Sequence, residues 1–407
     1  MKEQKREIIL PEYMTKFQCI GSACEDTCCA GWKVIVDKET FRNYRNTKHP
    51  EMKELLKKNV KRNRSGAATD ENYAKINMDS SGNCTLLDEN RLCKIQTELG
   101  PEFLSNTCAI YPRTLNLVED VVEKSATLSC PEVARLVLLK ENGIDFIQDV
   151  EPSDTRGFVK QNTMSKTQQA LFWDMRIFTI KTLQDRRMTI ENRLIILGLF
   201  LKKFDELGSD KEPEKVQLLM QEFEKGINDE SLVNSINQLP TNISFQISLC
   251  KSLIEYRSTT SINSHRYIEC LEEVVEGLGM NGKATDEEII HRYKTAYEVN
   301  YKPFMEDHEY ILENYLVNYI FINLFPFEKQ TVTDSFAMLV INFSMIKLHL
   351  IGMAKYHENL NLDLVIKLVQ SYSKTIDHNA AYLKNVESQM KLQGYITLAH
   401  MAVLVRS

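Results

Sequence analysis

Four cysteines fall within eleven residues near the start of the chain: Cys19, Cys24, Cys28 and Cys29, inside CIGSACEDTCCAGW. Cys84, Cys93, Cys108 and Cys130 follow, and only Cys250 and Cys270 lie beyond them. That density exceeds what a packed core needs. As thiolates, these side chains are soft ligands for zinc or for an iron–sulfur cluster. Zinc fingers and ribbons bring paired ligands two to four residues apart, twice, to close a tetrahedron. Here Cys19-x4-Cys24-x3-Cys28-Cys29 offers four candidates in one segment, while the other four are widely spaced. A 4Fe–4S cluster takes four thiolates, which leaves four for a second metal or a structural role. Spacing alone leaves zinc and iron both open. As chain neighbours, Cys28 and Cys29 are expected to point in different directions, so that one metal takes only one of them.

Two other uses of cysteine compete with metal binding. A disulfide framework belongs to oxidising compartments. The N-terminus, MKEQKREIILPEYM, carries charges and no apolar run of the kind found in a secretory signal, so a cytoplasmic, reducing location is expected. Isolated cysteines also serve as small buried hydrophobes, and Cys250 and Cys270 are read that way. Other chemistries lack their signatures. Cys24-x3-Cys28 begins the CxxxCxxC run of radical S-adenosylmethionine enzymes, but Gly31 stands at the third position. No GxGxxG follows a strand, and P-loop, HExxH and GxSxG patterns are missing. The formal net charge of -6 and the lack of a basic stripe give no footprint for nucleic acid. The most apolar stretch, Phe336 to Met353, is broken by Asn342, Ser344, Lys347 and His349, and reads as a buried helix rather than a membrane span.

The elements that must position the sulfurs are short. KVIVD (33–37) and YAKINMD read as strands, and residues 39–60 carry helical spacing interrupted at Pro50. Residues 61–72 read as a loop, Asp88-Glu-Asn as a turn, and 114–128 as a hairpin. Pro101 is expected to open a short helix delivering Cys108, and Pro131 another after Cys130, with Gly143 past its end. Composition shifts around EPSDTRGFVKQ (151–161), where a domain boundary is placed. Beyond it helical periodicity dominates: from Ser165 through Phe178, then 189–206, 213–225, 243–256, 264–277, 286–300, 307–324, 334–355, 362–376 and 379–402. Ser165 with Gln168 and Thr285 with Glu288 form capping boxes, and Gly208, Gly226 and Gly282 suit helix ends. The expected fold class is mainly α: a small mixed α/β cysteine-rich metal domain at 1–150, then an all-α domain at 151–407 that docks a substrate.

The wording of several segments is more specific. PEYMTKFQCIGSACEDTCCAGWKVIVDKETFRNY, CTLLDENRLCKIQTELGPEFLSNTCAIYPR and LSCPEVARL resemble the flagellin lysine-N-methylase (FliB) family, as do ENYLVNYIFINLFPF and SYSKTIDHN. The cysteine part is also similar to domain families described as zinc- or iron-chelating. The family resemblance implies a methyltransferase acting on surface lysines of flagellin, with S-adenosylmethionine as donor and a 4Fe–4S cluster. The candidate metal ligands are Cys19, Cys24, Cys28, Cys29, Cys84, Cys93, Cys108 and Cys130. Two rivals stand beside it: a structural zinc-binding adaptor and an iron–sulfur redox enzyme.

Methyl transfer to lysine sets further demands. At neutral pH only about 1 in 2,500 lysine side chains is uncharged, a penalty of about 4.6 kcal/mol. The amine must be desolvated or placed beside a base. The sulfonium of the donor is cationic and favours aromatic faces. Trp32, three residues beyond Cys29, is the candidate for the donor, and Tyr111 and His378 are candidate catalytic residues. Glu313, Asn314 and Tyr315 are weaker candidates. The series Tyr297, Tyr301, Tyr310, Tyr315 and Tyr319 reads as bundle core rather than an aromatic channel.

Overall fold

The computed structural model describes residues 5–31, 34–64, 69–152, 159–162, 164–208 and 211–406. Two sheets lie in the N-terminal third. The larger has the order β7-β1-β6-β5-β8, built from β1 (Lys5–Pro11), β5 (Arg113–Val118), β6 (Val121–Ala126), β7 (Phe146–Pro152) and β8 (Lys160–Gln161). β5 and β6 form the hairpin expected from their alternation, paired from Arg113 opposite Ala126 to Val118 opposite Val121. β1, which the sequence reading left as a lead-in, pairs parallel with β6 and antiparallel with β7. Its alternation is masked by charges, and only long-range pairing makes it a strand.

The smaller sheet is antiparallel, β2-β4-β3, from β2 (Ile35–Val36), β3 (Val60–Arg62) and β4 (Ala74–Ile76). Helices α2 (Lys38–Asn46) and α3 (Pro50–Asn59) cover it, with Asp37 capping the first and Pro50 in the first turn of the second. The short helices α1 (Tyr13–Lys16), α4 (Lys94–Leu99), α5 (Asn106–Ile110) and α6 (Pro131–Leu138) lie between the strands.

The rest is helical, as expected: α7 (Lys166–Leu183), α8 (Ile190–Glu206), α9 (Pro213–Asn228), α10 (Ser231–Ile236), α11 (Ile243–Ser258), α12 (His265–Leu278) and α13 (Asp286–Ala296). A π-helical turn at Tyr297–Tyr301 leads into α14 (Lys302–His308), followed by α15 (Tyr310–Asn323), α16 (Val332–Tyr356) and α17 (Leu362–Tyr372). A second π turn, Ser373–Asp377, precedes α18 (Ala380–Leu392) and α19 (Leu398–Val405). Both predicted capping boxes are formed. Four expectations fail. Pro101 opens only a 3-10 turn, Pro101–Phe103, while Cys108 lies on α5, which Ser105 caps. Gly282 lies past the end of α12, which Gly279 closes. The single helix over 379–402 is two helices, broken at Gly394, whose φ of +69° ends α18. Gly226 lies inside α9, which runs two residues further to Asn228. The expected boundary region includes 153–158, outside the described residues.

α16 is long and apolar enough to cross a membrane by length and composition, yet its apolar stretch of 18 residues is wholly buried. It is the central core helix. α12 crosses it where Gly277 meets Gly352, and a Cβ at 277 would land on the Gly352 carbonyl. Gly277→Ala should therefore lower stability by about 1–3 kcal/mol through overpacking, read as a fall in the thermal midpoint. An unchanged midpoint would mean that the crossing is loose.

The buried residues form two cores. The smaller gathers Val34, Val36, Tyr44, Leu56, Ala74, Ile76 and Leu86, with Cys84 inside it and Cys29, Cys93 and Cys108 packed against it. The larger joins the bundle to β1, the β5–β6 hairpin and α6, with Cys130 at its edge and Cys250 and Cys270 fully enclosed. Two asparagines of α15 dock the sheet region. Asn318 Oδ1 accepts from the Tyr13 hydroxyl at 2.7 Å, and Asn314 Nδ2 donates to the Lys140 carbonyl at 2.8 Å.

Candidate functional site

The cysteines reach one another through turns. Asp88 caps its own loop, accepting from Asn90 N at 2.9 Å and Leu92 N at 2.7 Å, and so returns the chain from Cys84 to Cys93. Cys84 N donates to the Cys29 carbonyl at 2.7 Å, which pins the double-cysteine turn to that loop. Ser105 caps α5, the helix that carries Cys108. Cys28, Cys84, Cys93 and Cys108 are near enough that each of the last three thiols is pushed up by burial and then by the other sulfurs' charge. Cys130 is raised by burial and, more weakly, by Cys24 and Cys19.

The expectation that Cys28 and Cys29 diverge is wrong. Their sulfurs lie 3.9 Å apart, because Thr27 Oγ1 accepts from Cys29 N at 3.1 Å and tightens the turn. The contact with Cys29 brings the Cys28 thiol down to about 7, against burial and with help from the Lys374 ammonium. The same contact and burial push Cys29 up. Cys28 therefore has substantial thiolate character at neutral pH, the form that ligates and reacts.

A tetrahedral ion about 2.3 Å from each sulfur holds the sulfurs about 3.8 Å apart. Among the described residues, no three Cys, His, Asp or Glu side chains converge closely enough to hold one ion. Cys29, Cys84, Cys93 and Cys108 fit a soft metal centre by their chemistry, being all free thiols grouped on one small core. Their spread is wider than a mononuclear site requires.

The loop between Cys24 and Cys28 is tied to the bundle. Glu25 pairs with Arg135 of α6 at 2.6 Å. Both carboxylate oxygens of Asp26 accept from Lys374 Nζ at 2.9 Å, and one also accepts from Gln370 Nε2 at 2.9 Å. Burial alone would raise Asp26, but the Lys374 charge and these hydrogen bonds outweigh it and hold the carboxyl below its usual range. Lys374 belongs to the π turn, an irregularity that in helices often marks functional sites.

The same turn delivers His378. Its Nε2 lies 2.8 Å from Ser129 Oγ, which in turn lies 3.1 Å from the Tyr111 hydroxyl. Two residues 267 positions apart, proposed separately from sequence, are thus joined through one buried serine. Burial, and secondarily Lys374, keeps the His378 imidazole below its usual range, so it is neutral at pH 7 and able to accept a proton. Burial pushes the Tyr111 hydroxyl up, with the Ser129 hydrogen bond opposing. Trp32 lies outside the described residues.

His378 stands where cavities meet. One, of about 480 Å³, is lined by Tyr111, Ile110, Arg113, Ile35 and Asp37. Another, of about 220 Å³, runs into the bundle beside Tyr315, Asn318, Tyr319, Asn342 and Asp377. They share Thr114, Thr127, Lys160 and His378. Of the tyrosine series, Tyr301 and Tyr315 are buried as expected, but Tyr315 and Tyr319 also wall this second cavity. Glu313 is structural: it accepts from Arg186 and Arg193, each at 2.9 Å.

A family profile described as the FliB lysine N-methylase C-terminal domain matches residues 176–404, more than half of the chain. The chain belongs to the FliB lysine N-methylase family. The matched part contains Tyr315, Lys374, Asp377 and His378, the helical side of the cleft. Among relatives, a lysine-N-methylase of Salmonella typhimurium is 26% identical over 396 residues, covering 92% of this chain and 93% of its own length. A second, from Salmonella choleraesuis, is 27% identical over the same extent. The flagellar biosynthetic protein FliU of Salmonella muenchen is 39% identical over 132 residues, covering 31% of this chain and 75% of its own. No solved structure matches the chain. Sequence reasoning missed Asp26, Ser129, Gln370, Lys374 and Asp377. The last three lie in or beside SYSKTIDHN, but their convergence depends on a π turn that periodicity does not reveal.

Proposed function

We propose that this chain transfers the methyl group of S-adenosylmethionine to surface lysines of a protein substrate, flagellin, beside a 4Fe–4S cluster held by the N-terminal cysteines. One observation carries the reading: the Tyr111–Ser129–His378 path joins the cysteine segment to a cleft walled by the family's C-terminal domain. Cys84, Cys93 and Cys108, with Cys28 or Cys29, would hold the cluster, and an iron–sulfur cluster supplies electron-transfer chemistry beside the donor. The donor would occupy the cavity of about 480 Å³, within the ~300–1,000 Å³ usual for cofactor sites. In the transfer, the S–CH3 bond breaks as an N–CH3 bond forms, leaving S-adenosylhomocysteine. Neutral His378 takes the amine proton, and Ser129 and Tyr111 hold its ring in place. The reduced thiols suit a reducing compartment, so the cytoplasm is the proposed location.

The test is anaerobically purified protein incubated with S-adenosylmethionine and flagellin, with methyl-lysine mapped by mass spectrometry. Methylated lysines are expected, and His378→Gln should lower the rate by roughly 100-fold, within the range for loss of a general base. No methylation despite bound iron would favour a redox enzyme. Stoichiometric zinc in place of iron would favour the structural adaptor.

A further inference from the structure

The cavity of about 220 Å³ is too small for a nucleoside-sized cofactor, whose pockets begin at roughly 300 Å³. Among the described residues, its walls nevertheless carry one buried hydroxyl that the fold does not satisfy. The Tyr315 hydroxyl is buried, with Tyr315 only 1% exposed, and has no hydrogen-bond partner. Asp377 lies beside it: burial is the main cause that pushes up the hydroxyls of Tyr315, Tyr319 and Tyr372, and the Asp377 charge adds to it. Among the described residues no lysine, arginine or histidine pairs with Asp377, whereas the nearby Lys374 is taken by Asp26. A partly buried carboxyl without a cation favours the entry of something cationic. Burial pushes Asp377 up to about 7, with a Ser373 hydrogen bond opposing, and a bound cation would return it to the ionised form.

We infer that this cavity is the channel for the substrate's lysine side chain: Asp377 receives the ε-ammonium, Tyr315 accepts one of its hydrogens, and the rings of Tyr315 and Tyr319 flank the methylene stem. The proposal rests on the methylase reading for its occupant. A slender alkylammonium fits the volume, and aromatic faces favour both the stem and the charge. His378, at the shared wall with the larger cavity, stands between this channel and the proposed donor. Asp377 thereby selects for a cation at the entrance to chemistry that needs a neutral amine, and His378 is placed to remove the proton.

A ligand-observed NMR titration of the whole, anaerobically purified chain tests the channel without methyl transfer. The probes are Nα-acetyl-lysine methylamide and the norleucine analogue, which keeps the stem and lacks the ammonium. The lysine probe should bind and the norleucine probe should not. Asp377→Asn should weaken lysine binding by about tenfold, as expected for a lost charge-assisted contact. Tyr315→Phe should weaken it by about tenfold or more, the loss of one hydrogen bond from a charged donor. If Asp377→Asn fails to fold, judged by circular dichroism, Tyr315→Phe decides alone. Equal binding of both probes, no lysine binding by the native chain, or variants that bind like the native chain would overturn the assignment. Lysine binding without any methyl transfer would sink the methylase reading and leave the channel standing. Methylation with an unchanged KM in Asp377→Asn would do the reverse.

Discussion

Cys84→Ala and Cys108→Ala should each give anaerobically purified protein without the brown colour, iron and acid-labile sulfide of the proposed cluster, and without methyl transfer. Both thiols belong to the group on the small core, and alanine offers no lone pair to iron. Serine, a hard ligand, should recover little. Cys250→Ala and Cys270→Ala should keep full iron, because both side chains sit in the bundle core away from the other thiols. Of the adjacent pair, Cys28 has the stronger thiolate character. Cys28→Ala should therefore lose more iron than Cys29→Ala. Full iron and full activity in both Cys84→Ala and Cys108→Ala would remove the small-core sulfurs from the catalytic centre.

The second large effect is on stability. Glu313 is 1% exposed and accepts from Arg193, itself 2% exposed, and from the half-exposed Arg186. Arg193 is further held by the carbonyls of Met188 and Leu183 at 2.8 and 3.0 Å. Glu313→Ala leaves the buried Arg193 guanidinium with only the longer, 3.6 Å pair to the partly exposed Glu309, and should destabilise the chain by about 2–4 kcal/mol, with Arg186 adding little because water screens it. Thermal and urea unfolding read the loss. The double variant Glu313→Leu with Arg193→Met should recover most of it, because an apolar pair removes both charges together. If Glu313→Ala unfolds at the native midpoint, the network contributes nothing. A collapse of activity without any loss of stability would instead give Glu313 a role in the reaction.

Much of this architecture is written locally. The capping boxes at Ser165 and Thr285, the proline-started helices at Pro50 and Pro131, and the β5–β6 hairpin depend on neighbours a few residues away. Their chemistry is legible wherever they lie in a fold. The cysteine clustering is equally local, and it makes the N-terminal third the candidate place for a metal. The class, mainly α behind a small mixed region, follows from periodicities of 3.6 and 2.

What the sequence could not determine is which distant residues share a space. β1 is a strand only because β6 and β7 flank it, and those partners lie more than a hundred residues away. Cys28 and Cys29 turn toward each other because a threonine hydroxyl tightens the turn, a matter of three-dimensional geometry rather than spacing. The larger core draws in β1, the hairpin and α6, so the sheet that leads to Tyr111 and Ser129 rests on the same helices that deliver His378. The sequence alone determined the kinds of residue available: soft thiols, a histidine, tyrosines and a carboxylate. Only the tertiary structure decided that Tyr111, Ser129 and His378 touch and that Asp377 faces Tyr315 across a cavity. Hydrogen bonds and burial act through space over a few ångströms, and the chain spacing that separates these residues carries no record of that distance.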